Sequence, residues 1–158
     1  MTDLPEATRR FLDAVADLDV TITPRVFPDG TKTSADAAAA VGCDLAQIAK
    51  SIVFMVDGEP LIVLMSGDRR VDPVKLAAAS GATEARRATL EEAREHTGYA
   101  AGGTPAFGHR QPVRVLADVS LRRNDDVWSA AGTPTTVYPI ALADLVALSA
   151  AEWADVAE

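Results

Sequence analysis

Apolar residues recur at helical spacing between Pro5 and Leu18, where Phe11, Leu12, Val15 and Leu18 follow an acidic first turn and predict an N-terminal helix. The period then changes. Val20 to Phe27 alternates like a strand, and Pro28-Asp29-Gly30 marks a turn. Thr33 or Ser34 is placed to cap an alanine-rich helix that Gly42 ends, and Asp44 to cap a short helix from Leu45 to Ala49. Two unbroken apolar runs, Ile52 to Val56 and Leu61 to Met65, flank Asp57-Gly58-Glu59-Pro60 and read as a hairpin of buried strands.

Further along, Asp72-Pro73 opens a helix through Ala79 that Gly81 stops, since proline suits the first helical position and glycine the residue past the end. Ala82 to Ala88 fits strand or coil equally. Thr89-Leu-Glu-Glu92 is a capping box, starting a helix that ends near Thr97. Pro112 to Val119, Asp126 to Ala131 and Thr135 to Ile140 read as strands, and Ala143 to Leu148 and Glu152 to Val156 as closing helices. Strands that neighbour one another without a regular intervening helix argue against a doubly wound parallel sheet. The expectation is an α/β (α+β) fold, a mixed, curled sheet or partly closed β-barrel surrounded by helices.

Composition narrows the class without choosing a function. The chain has 158 residues, 48% hydrophobic and 24% charged, which predicts one soluble domain over residues 1–158. The start at Met1 lacks a basic segment and an apolar core, and no run approaches membrane-spanning length, so cytoplasm is the default compartment and no membrane partner is expected. Cys43 is the only cysteine, which excludes an internal disulfide and a thiolate metal cluster. Next to Gly42 and Asp44, it reads as a small, half-buried residue more readily than as a nucleophile.

The chemistry concentrates in three segments. Gly98 to His109 holds four glycines and Pro105, a punctuation that specifies a backbone path and leaves N–H groups open to an acceptor. Lys50 heads the apolar run to Val56, and Val127 to Ile140 is a second apolar run broken by Gly132-Thr133-Pro134. No Gly-x-Ser-x-Gly elbow, His-x-x-x-His or Cys-x-x-Cys pattern is present, and with two histidines a metal-dependent hydrolase is poorly supported. Of those histidines, His96 reads as a solvated surface residue. His109, abutting the glycine-rich loop, is a candidate substrate contact.

In order and spacing, Ala49-Lys50-Ser51-Ile52, Gly98-Tyr99-x-x-Gly102-Gly103-x-x-x-Phe107-Gly108 and Ala131-Gly132-Thr133 with Asp144-Leu145 resemble the YbaK/ProX family of aminoacyl-tRNA editing domains, from about Thr31 to the C-terminus. The resemblance implies a freestanding trans-editing deacylase, related to the insertion domain of prolyl-tRNA synthetases. Its partners would be the acceptor end of a mischarged tRNA and an aminoacyl-tRNA synthetase. It implies no cofactor, and hydrolysis by water helped by backbone groups and the substrate's ribose hydroxyl. On this basis Lys50, Gly102 and Gly103 are the expected catalytic positions, with Lys50 an anchor for phosphate, ribose or oxyanion. Ser129, Gly132, Thr133, Thr136 and His109 are the expected substrate contacts.

Two departures bear on substrate. Ala106 stands where many members carry proline, and Thr136 where the cysteinyl-tRNA(Pro) deacylase branch carries an acidic residue, so a small aminoacyl group such as alanine on tRNA(Pro) becomes at least as good an expectation. The net charge of −8 disfavours a grip on long nucleic acid. The arginines at 69, 70, 86, 87, 110, 114, 122 and 123 admit either a local basic face or a scattered surface. A non-catalytic relative that binds a small ligand, a tRNA end or a synthetase is the competing expectation.

Overall fold

The computed structural model describes residues 4–27 and 33–158, so the turn expected at Pro28-Asp29-Gly30 lies outside the described residues. Helix α1 (Glu6–Ala14) buries Phe11, with Val15 buried just past its end. It stops short of Leu18, where Asp13, Asp17 and Asp19 crowd a C-terminus whose dipole disfavours carboxylates. Of the alternating segment that follows, only Arg25–Val26 forms a strand, β1. Val20 and Ile22 still pack on the core, but Pro24 lacks the donor that a ladder requires.

Helix α2 (Ser34–Val41) begins at Thr33, whose hydroxyl and Asp36 cap each other's backbone N–H, and ends at Gly42. A single 3₁₀ turn, Leu45–Gln47, follows. Ala49 and Lys50 already belong to strand β2 (Ala49–Val56), which pairs antiparallel with β3 (Glu59–Ser66) in the expected hairpin. Helix α3 (Pro73–Ser80) is capped by the Asp72 carboxylate, and helix α4 (Leu90–Thr97) by the Thr89 and Glu92 box. The ambiguous stretch between them contains β4 (Ala85–Arg87), a partner for Phe54 to Val56. Strands β5 (Arg114–Asp118), β6 (Asp126–Ala130) and β7 (Thr136–Ala141) precede helix α5 (Leu142–Ser149).

The closing segment corrects the sequence expectation: Glu152–Ala154 is a strand, β8, parallel to β5. A segment this short recovers too few intrahelical bonds to offset helix nucleation, whereas beside β5 it gains a ladder and buries Val156. The Asp118 carboxylate also accepts the Val156 N–H at 2.9 Å.

The strands form a mixed five-stranded sheet, β4-β2-β3-β5-β8, and a three-stranded antiparallel sheet, β1-β7-β6, with no closure into a barrel. Phe11 of α1, Val53, Ile62 and Leu64 from the larger sheet, and Val127 and Tyr138 from the smaller share one core. A second cluster of Phe54, Val56, Leu61, Val63 and Met65 meets Leu76 of α3 on the other face. Burial on both faces explains why β2 and β3 read as unbroken apolar runs.

Candidate functional site

Strand β4 covers only Phe54 to Val56, so the opening half of β2 has no strand ladder beside it on that edge. A parallel bridge between Ile48 and Trp128 brings this stretch to β6, itself the edge of the smaller sheet. Between them lies a cleft of about 260 Å³ lined by Lys50, Ser51, Arg87, Gly102, Ser129 and Pro134, among others. Thr33 and Ser34, at the start of α2, border it as well. Helix α2 is held there by Ala37 and Ala38, which pack on Ile48 and Trp128.

Lys50 is half-buried and enters none of the ion pairs among the described residues. Burial draws its pKa below the ordinary lysine value; the charges of Arg87 and Arg70 act the same way, and Asp68 opposes them. Asp68 is committed elsewhere. It binds Arg123 at 2.8 Å, which holds its carboxyl at about 2.

The two glycine segments meet behind the cleft. The Gly132 N–H donates to the Gly103 carbonyl at 2.9 Å. A Cβ on Gly103 would stand 2.5 Å from the Thr133 Cα, and one on Gly132, whose φ is +107°, 2.7 Å from the Ala7 carbonyl oxygen. Only glycine permits this approach. Thr136 is buried with its hydroxyl 2.7 Å from that of Thr133, which fastens the turn that carries Pro134 to the cleft.

Of the residues singled out in the sequence, Lys50, Gly102 and Ser129 therefore line one cleft, while Gly103, Gly132, Thr133 and Thr136 build the seam behind it. His109 stands apart. Its Nε2 lies 2.6 Å from the Pro105 carbonyl, its ring and that of Tyr99 meet edge-to-face, and burial lowers its pKa. Ala106 is fully buried in the core between the sheets, so its methyl does not widen the cleft. Cys43 is half-buried beside Ala37 and Ile48, and burial followed by the charge of Asp44 raises its thiol pKa.

The arginines divide by place. Arg86 pairs with Glu92, Arg114 with Glu152 and Arg123 with Asp68, and Arg122 stacks on Trp153 at 4.5 Å. Arg69, Arg70 and Arg87 enter no ion pair among the described residues. Arg69 and Arg70 line a second depression that also touches Lys50, Thr33 and Ser34 and so continues the cleft.

Residues 28–148 match the family model of the aminoacyl-tRNA editing domain. The chain belongs to this family. A solved structure described as a candidate trans-editing enzyme for prolyl tRNA synthetase superposes with a TM-score of 0.93 at 36% identity, covering 99% of both chains. The uncharacterized protein YwhH of Bacillus subtilis is 32% identical over 82% of this chain and 83% of its own length. The proline–tRNA ligase of Xanthomonas campestris pv. campestris strain 8004 is 35% identical over 60% of this chain, which spans only 17% of that ligase. Among the described residues of this editing domain no helix is long and apolar enough to cross a membrane, and no three His, Cys, Asp or Glu side chains gather as metal ligands.

Sequence reasoning named Arg87 only among the arginines of a possible basic face and did not place Trp128 or the Thr33-Ser34 rim at the cleft. Arg87 belongs to a stretch with no clear period, and Trp128 reads as core. The serines did leave a signal: Ser51 and Ser129 occupy strand positions whose neighbours two residues away are apolar and buried.

Proposed function

We propose that this editing domain acts in trans as a deacylase that hydrolyses the ester of a mischarged tRNA carrying a small amino acid, with tRNA(Pro) the favoured carrier. The observation that carries the reading is the meeting of Lys50, Gly102 and Ser129 on one cleft in a member of this family. The likeness to the candidate trans-editing enzyme, at 36% identity, supports action in trans.

Water attacks the aminoacyl carbonyl, the bond from that carbon to the ribose oxygen breaks, and the ribose oxygen takes up the proton as the free amino acid leaves. The Lys50 ammonium holds a terminal phosphate, the ribose or the developing oxyanion, and the backbone at Gly102 orients the carbonyl. The neighbouring ribose hydroxyl assists the water. No side chain forms a covalent intermediate. Cys43 is not at the cleft and its thiol is held protonated, while Ser51 and Ser129 share the cleft with neither histidine.

The test is deacylation of alanyl, cysteinyl, seryl and threonyl esters on tRNA(Pro) and on an unrelated tRNA. Hydrolysis of at least one ester well above the enzyme-free rate, retained in Cys43→Ala and sharply reduced on a substrate lacking the free ribose hydroxyl, is the expected result. Binding of the acceptor end without turnover would replace this reading with a non-catalytic one. A trapped acyl-enzyme would overturn the mechanism.

A further inference from the structure

Two serines interrupt the apolar faces that enclose the core. Ser51 lies between Ala49 and Val53 on β2, and Ser129 of β6 lies between Val127 and Ala131, the residue just past that strand; all four neighbours belong to the core shared by the sheets. Ser129 is 1% exposed. Neither Oγ finds a hydrogen-bond partner within the protein, and both residues line the cleft. Behind Ser129, across the β6–β7 pairing, stands Tyr138. Burial raises its phenol pKa and the nearby Ser129 hydroxyl weakly opposes this, yet the two oxygens do not reach hydrogen-bonding geometry and both stay unpartnered.

A buried hydroxyl without a partner is costly, and where it borders a cleft an ordered water or a ligand is what can supply the missing bond. Two such hydroxyls on facing strands of one cleft call for a hydrogen-bonding group. The cleft presents the cations of Lys50 and Arg87, and among the described residues no carboxylate lines it. That field disfavours an ammonium at its floor and leaves a neutral hydroxyl as the fitting group.

Within the deacylase reading above, we propose that Ser51 and Ser129 form a subsite for the side-chain hydroxyl of the aminoacyl group, so that seryl and threonyl esters are preferred over alanyl and 2-aminobutyryl esters of the same size class. Discrimination arises because an aliphatic side chain leaves both serines unpaired. A site built to bond a substrate hydroxyl rejects the analogue lacking it more strongly than an apolar pocket rejects a missing methylene.

The experiment measures kcat/KM for seryl, alanyl, threonyl and 2-aminobutyryl esters on one tRNA, with the wild type, Ser51→Ala and Ser129→Ala. The expected result is a seryl-to-alanyl ratio of about ten or more in the wild type that falls about tenfold in Ser129→Ala and also drops in Ser51→Ala. Because both esters are measured on one preparation, partial unfolding cancels from the ratio. A wild-type ratio near one, or equal losses on every ester in the variants, would overturn the proposal and assign the serines to the ammonium or ribose common to all substrates. If the wild type hydrolyses no ester, the deacylase reading fails by itself. The subsite is then tested with non-hydrolysable 3′-seryl and 3′-alanyl amide analogues of adenosine: tighter seryl binding that Ser129→Ala abolishes upholds it, and equal Kd values sink it.

Discussion

Lys50 contributes little to packing and is well placed for a ligand. Half-buried and outside every ion pair among the described residues, it keeps its ammonium without a partner carboxylate, and its pKa is lowered first by burial and then by Arg87 and Arg70. Lys50→Ala should therefore lower kcat/KM for deacylation by about tenfold or more with the melting temperature nearly unchanged. The charged form exists below the pKa, so activity should decline on the alkaline side at a pH under the ordinary lysine value of about 10.4, after correction for spontaneous ester loss. Lys50→Arg should move that decline upward. A limb that stays in place in Lys50→Arg would assign the titration to another group. Position 50 was legible because a cation at the head of a buried strand is unusual, whereas the face it presents depended on where β4 ends.

At the scale of elements, the cleft depends on the seam between the glycine-rich loop and the turn at Gly132. Gly132→Ala forces a Cβ against the Ala7 carbonyl of α1 and imposes a φ that other residues rarely adopt. It should cost about 2–4 kcal/mol in urea unfolding, more than a cap substitution. A cost below about 0.5 kcal/mol would mean that α1 and the turn part easily. Caps at Thr33, Asp72 and Thr89 were legible because each is settled within a few residues. Strand β8 was not, since its partner β5 lies far back in the chain and five residues carry no decisive period. The place of His109 was hidden for a related reason: adjacency to the loop in sequence did not reveal that the ring turns back to Pro105, away from the cleft.

Over the whole molecule, charge sets how a nucleic acid approaches. The net charge is −8, yet Lys50, Arg69, Arg70 and Arg87 stand unpaired around the cleft and its extension while other arginines are neutralised by Glu92, Glu152 and Asp68. An acidic body with a cationic rim fits recognition of a short single-stranded end. Affinity for an acceptor-end oligonucleotide should fall with salt along a shallow log–log slope of about −1.5 to −3, corresponding to two to four phosphates. The double variant Arg69→Ala with Arg70→Ala should flatten that slope by about 1 to 1.5, and an unchanged slope would move the phosphate track elsewhere.

The sequence by itself determined helices α2, α3 and α4 with their caps, the buried hairpin and the family, because capping, turn chemistry and apolar period are local and the three motifs keep their order along the chain. Only the tertiary structure decided that Gly102 faces the cleft while Gly103 and Gly132 are spent on holding it together, and that Ser51 and Ser129 meet there without partners. The physical reason is that periodicity assigns a residue to a face but not to a partner. Which faces meet is set by long-range packing of two sheets about one core, an outcome that neither strand's own residues specify.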